Sequence, residues 1–121
     1  MTIALWAGVV TLGGAGAVLR LLVDRAIATR VARSFPFGTL TVNLSGAILL
    51  GLTGGLTLSP GAALLAGTAF VGSYTTFSTW MLETQRLTEE RLVWPAVANI
   101  VASIALGVAA AMLGRWIAGQ L

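Results

Sequence analysis

The chain has 121 residues, 57% of them hydrophobic and 9% charged, with a mean hydropathy of +0.93, which excludes a soluble globular domain and describes an all-α integral membrane protein. Cys and His are absent, and with them disulfides, thiolate nucleophiles, imidazole bases and soft-metal ligands. All seven cations are Arg against four carboxylates, net +3, and they lie at the ends of apolar stretches, so the basic balance speaks of membrane orientation and not of nucleic acid.

A spanning helix needs about 20 apolar residues, and residues 1–121 hold four such stretches with no room for a soluble domain. The first span covers about 3–23 and has no basic region ahead of it, so it reads as a retained helix and not a signal peptide. A charged connector, Asp24 to Ser34, follows. Phe35-Pro36-Phe37-Gly38 opens the second span, about 39–58, where Pro is tolerated because its missing N–H would be unpaired there anyway. Ser59-Pro60-Gly61 is a tight turn into the third span, about 62–87, and Thr88 to Arg91 connects it to the fourth, about 93–116, opened by Pro95. Small residues recur at four-residue spacing at Ala47, Gly51 and Gly55, at Ser103, Gly107 and Ala111, and less regularly at Gly8, Leu12 and Gly16. These stripes read as packing seams.

The third span carries the informative block, Gly72-Ser73-Tyr74-Thr75-Thr76-Phe77-Ser78-Thr79-Trp80. Unpartnered polar groups in hydrocarbon each cost several kcal/mol, so such a block persists only where it is buried in protein or lines a wet path. Ser and Thr also bond their own i−4 carbonyls in membrane helices, but six hydroxyls among residues 73–79 exceed that bland explanation and point to a functional break. On a continuous helix Thr75, Ser78 and Thr79 would share one face, and Tyr74, Phe77 and Trp80 another. Asn43 is the one amide of the second span, able to donate to an anion, cap a broken helix or act as interhelical glue, with glue favoured on its residue type alone. Asn99 and Ser103, four apart on the fourth span, share a face and also read first as structural. Arg20 near the end of the first span serves equally as an interfacial anchor or as positive potential at a vestibule. Hydroxyls, amides and aromatic ring edges favour anions, and no carboxylate sits in mid-span for a proton relay.

Three segments in order, Gly13-Gly14-Ala15-Gly16-Ala17-Val18-Leu19-Arg20, Phe37-Gly38-Thr39-Leu40-Thr41-Val42-Asn43-Leu44-Ser45-Gly46, and Gly72 through Thr79 with Glu83 following, closely resemble the small bacterial fluoride channels of the Fluc (CrcB) family. A dinucleotide or phosphate-loop reading of the glycines fails, because Leu19 stands where the third glycine belongs and the chain has no Lys. The resemblance implies two four-helix subunits packed as an antiparallel dimer, the third helix of each broken at the membrane centre, in a bacterial cell (inner) membrane. It implies a fluoride pathway through Asn43, Phe77, Ser78, Thr79, Trp80, Asn99, Ser103 and Arg20, and a structural Na+ held by the backbone carbonyls at Gly72 and Thr75. Trp80 stands where the family usually has a second Phe, and Asn99 where a Tyr is common.

The implied function is passive, electrodiffusive export of fluoride, giving fluoride resistance, with no enzymatic step. A dual-topology antiporter of the small multidrug type is the alternative, yet it needs an embedded Glu in the first helix, and residues 3–23 have none. A membrane kinase would need Mg²⁺-binding carboxylates, for which Glu83, Glu89 and Glu90 are too thin a set. A purely structural subunit is the remaining reading. The first and third connectors carry Arg25, Arg30, Arg33, Arg86 and Arg91 against Arg115 on the other side. That skew favours one orientation, both termini outside, whereas an antiparallel homodimer needs both orientations. The homodimer is still preferred over a heterodimer with an oppositely biased paralogue.

Overall fold

Helix α1 (Ile3–Arg30) begins where the Thr2 hydroxyl accepts from the Leu5 N–H at 3.1 Å, an N-cap pattern. The computed structural model describes residues 2–31 and 35–121. α1 continues well past the expected end at Val23, because Arg25, Ala26, Ala28 and Arg30 are helix formers with no Gly or Pro among them. The connector is correspondingly shorter than the 24–34 read from charge, and Arg33 and Ser34 lie outside the described residues. α2 (Phe37–Gly55) starts directly after Pro36 and stops at the Gly54-Gly55 pair, three residues short of the expected 58.

The next segment is one bent helix built from pieces. Ser59 caps α3 (Pro60–Ala63), accepting from the Ala62 N–H at 3.2 Å with Pro60 in the first turn. The chain then winds as a π-helix over Leu64–Val71, in which the Gly72 N–H reaches back five residues to the Gly67 carbonyl. α4 (Gly72–Tyr74) follows, and at Thr75 the backbone turns extended, φ −81°, ψ 162°. α5 (Ser78–Glu89) resumes after Phe77. It closes with Arg91 in the left-handed region, φ 61°, as the Leu92 N–H bonds the Leu87 carbonyl at 2.8 Å. α6 (Val93–Gly119) completes an all-α bundle, and α1, α2 and α6 are each long and apolar enough to cross a membrane.

The expected interruption is visible at residues 75–77. The Asn43 side chain reaches across from α2, its Nδ2 donating to the Thr76 carbonyl at 2.9 Å and its Oδ1 accepting from the Thr76 N–H at 2.8 Å. Of the roles open to Asn43, the structure realises the favoured one, interhelical glue, with a side chain of α2 holding both main-chain groups of Thr76 at the break. The Thr76 hydroxyl in turn accepts from the Thr79 N–H at 3.2 Å, capping α5 from three residues upstream. The break divides the faces expected of a continuous helix. Tyr74 turns inward, 5% exposed, stacked on Phe70 with centroids 6.1 Å apart and its hydroxyl 2.8 Å from Ser45 Oγ, while Phe77 turns outward, 70% exposed.

Two glycines let the flanking helices close on this segment. A Cβ on Gly16 of α1 would sit 2.6 Å from the Phe70 carbonyl oxygen, and one on Gly46 of α2 2.2 Å from Thr75 Cγ2. The α2–α6 contact is closer still. Cβ atoms on Gly51 and Gly114 would each fall 2.0 Å from a backbone oxygen of the other helix, Ala111 and Ile48 respectively. The seam expected at Ala47, Gly51 and Gly55 is therefore met by Ala111, Gly114 and Ala118, and not by Gly107, whose Cβ would meet nothing within 4 Å.

Two outcomes follow for stability. Gly114→Val forces the α2 and α6 backbones apart and lowers stability by about 1–3 kcal/mol or more, read as a lower thermal aggregation midpoint in detergent, whereas Gly107→Ala is neutral or slightly stabilising. Thr76→Val deletes the α5 cap but spares the backbone pair to Asn43, and lowers stability by about 1 kcal/mol in the same assay; an unchanged midpoint would show that the cap contributes nothing.

Candidate functional site

Breaking the helix creates unpaired main-chain groups whose identity follows from the hydrogen bonds above. In a continuous helix the Gly72 carbonyl would accept from the N–H of residue 76, and the Thr75 carbonyl from that of residue 79. Here the Thr76 N–H goes to Asn43 Oδ1 and the Thr79 N–H to the Thr76 hydroxyl. Both carbonyls thus lose their helical donors, and both belong to the pair expected to hold a monovalent cation. Carbonyl oxygens are hard, neutral donors of the kind such a cation takes, so the donor set fits. On the other side of the break, the opening N–H groups of α5 lack intrahelical acceptors, as at any helix start, and favour negative charge.

Most of the expected site residues line one or other of two concavities at the break. The first, about 300 Å³, is lined by Asn43, Thr75, Thr76, Phe77, Trp80 and Ser103 among others. No carboxylate is in its lining. Phe77 and Trp80 meet there edge to face, with centroids 5.7 Å apart and planes at 81°, the geometry their quadrupoles favour. The second, about 140 Å³, is lined by Arg20, Asp24, Thr39, Thr76 and Thr79, with Leu21 and Val42. Arg20 therefore does face a concavity, but Asp24 one turn on lines it too and offsets part of its positive potential.

Thr76, which its residue type alone does not distinguish from its neighbours, lines both spaces. The signal was present as a Thr three residues ahead of Thr79 at the opening of a helix, the spacing of a hydroxyl cap. Ser78 and Gly72 are exposed and line neither concavity. Asn99 is 1% exposed and also lines neither; its Nδ2 donates to the Thr84 hydroxyl at 2.8 Å, between α6 and α5. The Trp80 indole N–H, the donor that set Trp apart from Phe, is directed at the Asn99 main-chain carbonyl, 3.2 Å away.

Asp24 and Glu83 line a common concavity with Arg86, but among the described residues no three acidic residues gather at one point. The Thr39 hydroxyl donates to Glu83, Gln85 donates to Glu89 at 3.2 Å, and Glu90 pairs with Arg86 at 3.3 Å on the surface. This leaves no carboxylate set for a phosphoryl-transfer metal among them. Asp24 instead packs against the start of α2, where a Cβ on Gly38 would lie 2.0 Å from its Oδ1. That contact accounts for glycine at position 38.

Comparison with known proteins covers nearly the whole length. A family model described as CrcB-like protein, camphor resistance, matches residues 7–115. A protein named fluoride-specific ion channel FluC 2 from Mycobacterium tuberculosis is 65% identical over 118 residues, covering 98% of this chain and 94% of its own. The protein of the same name from Mycolicibacterium paratuberculosis is 66% identical over 117 residues, covering 97% and 96%. Fluoride-specific ion channel FluC 1 from Streptomyces avermitilis is 41% identical over 120 residues, covering 96% and 97%. The chain belongs to the CrcB, or FluC, family.

Proposed function

We propose that the chain conducts fluoride passively across the bacterial cell (inner) membrane, exporting it and so conferring fluoride resistance. The observation that carries this reading is the break at residues 75–77, which in a chain of this family sets donors and aromatic rings around a carboxylate-free concavity on a hydrophobic bundle. Nothing in that space titrates near neutrality, so no coupling ion is required and transport follows the electrochemical gradient. Asn43, Phe77, Ser78, Thr79, Trp80, Ser103 and Arg20 line or flank the pathway in this reading. Selectivity arises where hydroxyl, amide and main-chain N–H donors and ring edges replace part of a hydration shell, tightly enough to admit the ion and weakly enough to release it. The multidrug-antiporter alternative lacks the embedded acid it requires, since the first carboxylate of α1 is Asp24.

The reading extends to assembly. Phe77, Ser78 and Gly72 are exposed on one copy, and polar backbone at a break does not face lipid. The bent helix then serves as the third of four membrane crossings, broken near mid-depth, and a second copy packed antiparallel covers the exposed break. The carbonyls of Gly72 and Thr75 in the two copies would hold a structural Na+, whose charge offsets four inward-turned carbonyl dipoles. A homodimer is preferred over a heterodimer with a paralogue, because this one chain supplies every pathway residue named.

Three measurements check these statements. Liposomes loaded with fluoride and containing the purified protein release it when a potassium ionophore shunts the charge, and retain chloride; release that needs no shunt and moves protons would contradict the channel. Phe77→Ile removes at least about nine-tenths of the flux, equivalent to roughly 1.4 kcal/mol, with the dimer intact on size exclusion, and flux at the unmodified level would return Phe77 to a packing role. Thr57→Cys and Thr88→Cys, in a chain without other cysteines, both label from outside intact cells when both orientations insert. Labelling of only one position, with no flux from the chain alone, would support the heterodimer.

A further inference from the structure

Trp80 brings to the break an N–H that a phenylalanine lacks, and in a low-dielectric setting that donor needs an acceptor. It has one in the Asn99 main-chain carbonyl at 3.2 Å. The side chain of the same residue then returns the connection. Asn99 Nδ2 donates to Thr84 Oγ1 at 2.8 Å, and Thr84 Oγ1 donates to the Trp80 main-chain carbonyl at 2.9 Å. A hydroxyl has one proton, so Thr84, having given it to Trp80, meets Asn99 only as an acceptor, and this sets which end of the amide faces it. The circuit closes on Trp80 from both sides: indole to α6 backbone, α6 side chain to α5 hydroxyl, hydroxyl to the Trp80 carbonyl.

The circuit has a cost that marks its purpose. Asn99 is 1% exposed and its Oδ1 is buried without a hydrogen-bond partner, a penalty that leucine of similar volume would avoid. Packing therefore does not account for an amide here. Nor does contact with an ion, since Asn99 lines neither concavity.

We infer that Asn99 and Thr84 are positioning residues that hold the Trp80 indole with its N–H consumed in the α5–α6 contact, so that Trp80 offers the ion only its carbon edge and face beside Phe77. The tie rests on geometry alone; its effect on conduction rests on the reading of Phe77 and Trp80 as pathway residues. Under this assignment the tryptophan adds aromatic surface to the concavity without adding a donor, and Asn99 acts through Trp80 and not on the ion.

The test uses the full-length protein with ¹⁵N-labelled tryptophan in lipid nanodiscs, the Trp80 indole resonance being assigned by its loss in Trp80→Phe. Exchanging chloride for fluoride leaves that resonance in place, whereas Thr84→Val, which deletes both hydrogen bonds of the Thr84 hydroxyl, moves it and lowers fluoride flux by roughly tenfold. Thr84→Ser, which keeps the hydroxyl, restores both resonance and flux. Asn99→Leu behaves as Thr84→Val does, and Thr84→Val carries the test should Asn99→Leu not fold. An indole resonance that follows fluoride concentration would overturn the inference, because the N–H would then face the ion. So would a resonance indifferent to Thr84→Val, or one that moves while flux stays unchanged. Failure of the pathway reading is separately visible as full flux in Phe77→Ile, with the indole resonance still reporting the tie.

Discussion

The two hydrogen bonds between the Asn43 amide and the Thr76 main chain hold the architecture of the site together. By taking both polar groups of one peptide residue, Asn43 substitutes for the helix at the point where the helix stops. An interruption left to itself in hydrocarbon would strand several donors and acceptors at several kcal/mol each. One amide satisfies two of them, and its capture of the Thr76 N–H is what releases the Gly72 carbonyl. The Thr76 hydroxyl repeats the logic one step on, capping α5 and releasing the Thr75 carbonyl. Gly16 and Gly46 are the steric condition for this arrangement, since side chains there would push α1 and α2 off the broken segment.

Much of the polar chemistry in the block is spent internally. Tyr74 is paired with Ser45, Ser73 with the Ala69 carbonyl, Thr75 with the Val71 carbonyl and Trp80 with Asn99. What stays turned to the carboxylate-free concavity is modest: the aromatic pair, the Ser103 hydroxyl, and the Asn43 amide, whose carbonyl and one N–H are held by Thr76. A pathway built of weak, neutral, fixed donors suits an ion that has to leave as readily as it enters. A fully charged site would bind a small anion tightly and stall it. Arg20 sits in the other concavity with Asp24 beside it, so the positive potential there is also moderated.

Composition and hydroxyl density suffice for an all-α chain of apolar helices and for an interruption inside residues 72–80. The limits lay where tertiary contacts override local rules. Nothing local distinguished an Asn43 that donates to an anion from one that caps a neighbouring helix, because the partner, Thr76, is 33 residues away. The i, i+3 face through Tyr74, Phe77 and Trp80 presumed an unbroken helix, and one extended residue, Thr75, sends Tyr74 inward and Phe77 outward. Charge does not mark the end of α1, which runs on to Arg30, because Arg is a good helix former and a helix leaves the apolar layer without unwinding. On α6 the small-residue stripe ran through Gly107, whereas contact follows Ala111, Gly114 and Ala118, a choice among small residues that only the facing helix decides. Asn99 was read with Ser103 from shared periodicity, and the Thr84 hydroxyl that holds it lies on a different element.

The central claim, that the Asn43 amide holds open the break through which the ion passes, is tested most directly by fluoride efflux from liposomes carrying Asn43→Leu. This near-isosteric change removes both bonds to Thr76 while leaving an apolar side chain suited to the bundle. The account predicts flux close to that of protein-free vesicles, from a protein that still folds and dimerises. Flux equal to that of the unmodified chain would contradict it.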